Sequence, residues 1–228
     1  MQKTEHKTQQ FDTPAPISAV LDIPAGRIQL IAADRADTTV EVLPANAGKS
    51  RDVKAAEEMT VVYCDGVLRI AARAAKNQYF GPSGAVDVTV KLPAGSRVEA
   101  KAASAELRGV GRLGDVAFDG AHGSVKLDET AGARLALQAG DISVGRLGGP
   151  GEIRTQKGDL DIAEAVHGTV TLRTEHGDIT VGAARGVSAS LDAGTGYGRV
   201  SSTLKNDGKT ELTIHATTSY GDITARSL

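Results

Sequence analysis

The sequence predicts an all-β protein: a mostly antiparallel N-terminal region followed by a parallel, two-sheeted β-solenoid. Three observations carry that reading. A Gly-Asp-Ile/Leu-x-Val/Ile motif recurs along the chain, a period-two segment lies between successive copies, and the interval between copies is too short to hold a helix. Composition agrees. The hydrophobic fraction is 40%, yet aromatics make up only 3% and Trp is absent, so the core must be filled by Val, Ile, Leu and Ala. Small branched side chains suit a thin interior between two sheets.

Taken in order, residues 1–12 are polar and read as a disordered tail, and residues 13–93 as an N-terminal sheet or cap. Val20-Leu21-Asp22-Ile23 and Arg27-Ile28-Gln29-Leu30-Ile31 flank Pro24-Ala25-Gly26, and Thr39 to Leu43 alternates again. Lys49 to Met59 has the character of one or two helical turns. Thr60 to Tyr63 and Val67 to Ile70 enclose Cys64-Asp65-Gly66, a hairpin signal because Asp-Gly tolerates positive φ. Asn77 to Gly84 reads as a loop, and Val86 to Leu92 is the cleanest period-two run. Cys64, next to Val61, Val62 and Tyr63, is expected to be a buried, inert thiol.

Residues 94–228 carry the repeats. The plainest copies begin at Gly140-Asp141, Gly158-Asp159, Gly177-Asp178 and Gly221-Asp222, with weaker ones at Gly198-Arg199 and Gly123-Ser124. From Gly123 to Gly221 the successive glycines are 17, 18, 19, 21 and 23 residues apart. Between them lie Arg134 to Leu137, Glu152 to Thr155, Thr169 to Leu172, Ser188 to Leu191 and Glu211 to Ile214, all alternating. Each repeat is thus strand, tight turn, strand, connection. Equivalent strands stack in parallel at roughly 4.8 Å, with right-handed connections as the strong default. The longest interval is explained by an added turn at Asn206-Asp207-Gly208-Lys209.

These residues resemble a bacterial family of β-strand-repeat proteins that goes by the name "putative adhesins", a domain of unknown function. The carriers are Val88-Thr89-Val90-Lys91-Leu92-Pro93-Ala94-Gly95 and the four plain Gly-Asp copies. The resemblance covers most of the chain and implies a fold rather than a reaction. The family has no agreed catalytic residues to carry over. Many of its members are exported or attached to the surface.

Stacked coils align the candidate residues in columns. Asp141, Asp159, Asp178 and Asp222 are expected to close their turns by accepting backbone amides, in preference to forming a cation ladder. Arg199 is expected to interrupt that column. His122 and His176 fall three repeats apart, roughly 14 Å by strand spacing, too far to share a Zn²⁺. The column before the glycine ends in His176, Tyr197 and Tyr220, an aromatic strip and the best candidate for a binding surface. No nucleophile elbow, phosphate loop, metal set or cofactor motif is present. No enzyme activity is expected.

A net charge of −2 with no basic stripe argues against nucleic acid. No apolar run reaches the length of a membrane span, and without an apolar leader the expected location is cytoplasmic. A surface location would need a non-classical route or a trimmed leader. The expected function is a non-catalytic interaction module presenting sheet faces to a protein or glycan. The alternatives are a self-assembling scaffold comparable to bactofilins and, less favoured, a carbohydrate-active solenoid enzyme. With nothing following Leu228, the last repeat is expected to end the stack with open strand edges, which predicts a homodimer through the C-terminal coil, Thr210 to Leu228.

Overall fold

Alternating burial along nearly every segment makes strands the dominant element. The computed structural model describes residues 7–72 and 84–228. The N-terminal elements are β1 (Lys7–Asp12), β2 (Ser18–Ala33), β3 (Asp37–Pro44), α1 (Ser50–Glu57), β4 (Met59–Cys64), β5 (Val67–Ala72) and β6 (Val86–Pro93). The coils comprise β7 (Arg97–Ala139), β8 (Ile142–Leu147), β9 (Gly151–Arg154), β10 (Leu160–Ala165), β11 (Gly168–Arg173), β12 (Ile179–Ala183), β13 (Ala189–Tyr197), β14 (Val200–Thr203), β15 (Leu212–Tyr220) and β16 (Ile223–Ser227).

The N-terminal region departs from expectation in three places. Residues 7–12, read as part of a disordered tail, form β1, which pairs antiparallel with β3 from Lys7–Val42 to Asp12–Asp37. The polar sequence hid this edge strand. Its anchor is Phe11, whose ring lies 5.4 Å from that of Tyr63. The region is also mixed rather than mostly antiparallel, because β2 runs parallel to β5, β6 and β7. Cys64 is exposed, not buried. It lies beside the hairpin turn, paired with Val67, on the face opposite the buried Met59. The hairpin turn itself is as the sequence predicts, with φ of 50° at Asp65 and 77° at Gly66. The helix also falls where expected. The 77–84 loop, apart from Gly84, lies outside the described residues.

Beyond β6 the strands form two rows of parallel neighbours within one mixed sheet. One row runs β7, β8, β10, β12, β16, β14, and the other β7, β9, β11, β15, β13. The boundary expected near residue 93 is bridged, since β2 pairs with β7 over Ser18–Arg97 to Ile31–Val110. One core cluster extends from Ile17 to Ala225. The fully buried Leu135, Ile142, Val170, Leu172, Ile179 and Val181 are all residues that alternation places inward.

The coils do not stack in chain order at either end. β16 sits between β12 and β14, and β15 between β11 and β13. At the other end β2 lies between β6 and β7. The C-terminal coil is therefore an inner coil, hydrogen-bonded on both sides, and the open edges at this end of the stack belong to β13 and β14. The homodimer expected through Thr210 to Leu228 loses its premise. The long interval before Gly221 is the return path that brings the chain back by one coil.

Candidate functional site

Each turn is built by a glycine that nothing larger could replace. At Gly177, φ is +151° and an added Cβ would lie 2.0 Å from the carbonyl oxygen of Gly158, well inside van der Waals contact. Gly221 stands in the same relation to Gly177, and Gly198 to Gly221. The glycine carbonyls thus stack directly over the neighbouring turns, and their order repeats the coil order.

The aspartate after each glycine ties one coil to the next. Asp141 Oδ1 accepts the Asp159 N–H at 2.9 Å, Asp159 Oδ1 the Asp178 N–H at 2.8 Å, and Asp178 Oδ1 the Asp222 N–H at 2.7 Å. The Arg199 N–H completes the series on Asp222 Oδ1 at 2.8 Å. The carboxylates bond amides, as expected, but those of the adjacent coil rather than their own turn. Arg199 does not interrupt the column. It ends it, because its coil is outermost.

A threonine three residues before the glycine, buried at Thr155, Thr174 and Thr218 and half-buried at Thr195, completes the turn, a feature the sequence reading missed. The hydroxyls of Thr174, Thr218 and Thr195 donate to the carbonyls of Gly158, Gly177 and Gly221 at 3.1, 3.0 and 2.9 Å. The signal was present in the sequence: Thr155, Thr174, Thr195 and Thr218 all precede a repeat glycine by the same spacing.

The structure brings the three aromatic candidates together, in an order set by the inner position of β15. The rings of His176 and Tyr220 stack at 5.0 Å and 10°, and those of Tyr220 and Tyr197 at 5.0 Å and 3°. Tyr197 is 71% exposed and Tyr220 50%. Because the faces are turned toward one another, the strip offers ring edges, the two phenol groups and the outer face of Tyr197.

Among the described residues no three His, Cys, Asp or Glu side chains gather as metal ligands, and no helix is long and apolar enough to cross a membrane. The Cys64 thiol donates to Asp65 Oδ2 at 3.3 Å. That hydrogen bond, the negative charge of Asp65 and slight desolvation push the thiol pKa up. Raising it makes the thiolate rarer near neutral pH, so Cys64 is a poor nucleophile.

The model of one family, Toastrack DUF4097, matches residues 20–227. No curated protein matches the chain. Among solved structures, a "putative adhesin" from Bacteroides fragilis is 12% identical, covering 99% of this chain and 98% of its own, with a TM-score of 0.55. A "putative adhesin" from Parabacteroides distasonis is 15% identical over 96% of this chain and 97% of its own, with a TM-score of 0.46. A "putative cell adhesion protein" from Clostridium sporogenes is 12% identical over 98% of this chain and 100% of its own, at 0.39. At such identities the first of these speaks to fold alone.

Proposed function

Because the chain belongs to the Toastrack DUF4097 family, we propose that it is a non-catalytic, adhesin-like module that presents its surface to a protein or glycan partner. In this reading the two strand rows face each other as two sheets, joined by right-handed connections. The turns are occupied in holding coils together: glycine carbonyls, aspartates and threonines all bond within the stack. The observation that carries the reading is the exposed strip His176–Tyr220–Tyr197, half or more of each Tyr in solvent in a chain with four Tyr and three Phe. Exposed tyrosines supply contact area at low entropic cost and are enriched at binding surfaces.

The test is an immobilised glycan panel and a panel of surface proteins, probed with the wild type, Tyr197→Ala and Tyr220→Ala. Binding by the wild type that both variants lose supports the proposal. Binding that neither variant weakens contradicts the strip as its seat, and release of new reducing ends from a bound glycan contradicts the non-catalytic reading.

A self-assembling scaffold is the second reading. All four residues of β14 are exposed, with Val200 at 46%, and an uncovered strand edge invites pairing with another chain. Light scattering separates the two, since a scaffold grows with concentration and a binding module does not.

A further inference from the structure

Charged side chains on the outward faces of the coils obey a simple pattern, in which a base on one coil meets an acid on the next. Arg97 meets Asp115 at 2.7 Å, Arg108 meets Asp128 at 2.6 Å, and Arg134 meets Glu152 at 3.8 Å. Arg146 lies between Glu129 and Glu164. The pattern breaks where two arginines meet. Arg154 of β9 is directly opposite Arg173 of β11, which sets the two Cα atoms roughly 4.8 Å apart. Like charges directly opposite on neighbouring strands are destabilising. Another such opposition, Asp12 with Asp37, is relieved by Arg35, which binds Asp37 at 2.7 Å. Arg154 and Arg173 have no acidic partner within 4.0 Å among the described residues, and both are exposed.

The two arginines also line a groove of about 400 Å³, with Gln138, Gln156, Asp119 and Glu175 around it. The floor is low because Ala136 is the residue paired with Arg154 on the other side. A shallow trough therefore runs past two guanidinium groups that make no ion pair, and is edged by two primary amides and two carboxylates. We propose that this groove binds an acidic sugar, with a carboxylate held by Arg154 and Arg173 and the neighbouring hydroxyls by Gln138 and Gln156. Arginine is suited to planar, bidentate capture of a carboxylate, and paired amides suit a hydroxylated ligand. Asp119 and Glu175 in the same lining, with the net charge of −2, oppose a dense polyanion such as nucleic acid. The inference rests on the groove and not on the aromatic strip.

The test is calorimetric titration of the full chain with trigalacturonate, its neutral counterpart galactotriose, and inorganic phosphate. The expected result is binding of trigalacturonate but not of galactotriose, weakened about tenfold or more by Arg154→Gln or Arg173→Gln, the size of one lost charged hydrogen bond. Lys126→Gln, which removes an exposed cation from the other row of strands, should leave this binding intact, which separates the groove from a general loss of positive charge. Without ligand, the arginine variants should melt no lower than the wild type, because a repulsion has been removed. Failure to bind trigalacturonate, equal binding of the neutral sugar, phosphate as the one ligand retained, or arginine variants that melt lower without ligand would each overturn the proposal.

Discussion

Ile179 and Asp178 are chain neighbours with opposite tasks. The Ile179 side chain is completely buried, while the Asp178 carboxylate lies at the surface and accepts the Asp222 amide. Ile179→Asp forces a carboxyl into an apolar interior without a partner, and should cost more than about 4 kcal/mol. Asp178→Asn keeps an oxygen that can accept the same amide, and should cost about 1 kcal/mol. Urea unfolding of both variants checks the pair, and equal costs would mean that the inward and outward faces are misassigned. This contrast was legible in the sequence because period two fixes which residues point inward. What the aspartate bonds to was not legible. A local turn and a contact to the next coil use the same residue type, and the choice is made by how closely the glycines let the coils approach.

At the scale of the element, the working unit of the coil is the turn Thr-x-x-Gly-Asp together with the strand after it. Thr174 is 2% exposed and its hydroxyl donates to the Gly158 carbonyl. Thr174→Val preserves shape and removes the donor, so it should destabilise by about 1 kcal/mol and leave the far-ultraviolet circular dichroism spectrum unchanged. No loss on urea unfolding would show that the bond contributes nothing. The strands of the coils were readable because two constraints coincide there, alternation and a positive-φ glycine. β1 was not, because an edge strand held by Phe11 has too few apolar residues to show a period. The parallel course of β2 was not either. Local pattern gives a strand its faces but not its partners, and the β2 partners lie far along the chain in β5, β6 and β7.

Across the whole molecule, the chain doubles back at both ends of the stack. β2 lies between β6 and β7, with β3 and β1 beyond β6, and β16 finishes one coil inside the other end, beneath β14. A stack laid down in chain order would leave its last strand bonded on one side and free to fray. Here that strand is bonded on both sides, by Thr180–Thr224 to β12 and by Ser201–Thr224 to β14. The repeat spacing contained a trace of this in the long intervals before Gly198 and Gly221. An added surface turn lengthens an interval just as a return path does, so spacing alone could not tell them apart. The glycine, aspartate, threonine and aromatic ladders all take their order from this arrangement, and it places the open edge on β13 and β14. Disulfide trapping tests it most directly. In a Cys64→Ser background, Thr180→Cys with Thr224→Cys joins strands roughly 4.8 Å apart, within the reach of a disulfide. Thr180→Cys with Ser201→Cys spans twice that distance. The arrangement predicts rapid oxidation of the first pair in the folded protein and none of the second, and the reverse result would contradict it.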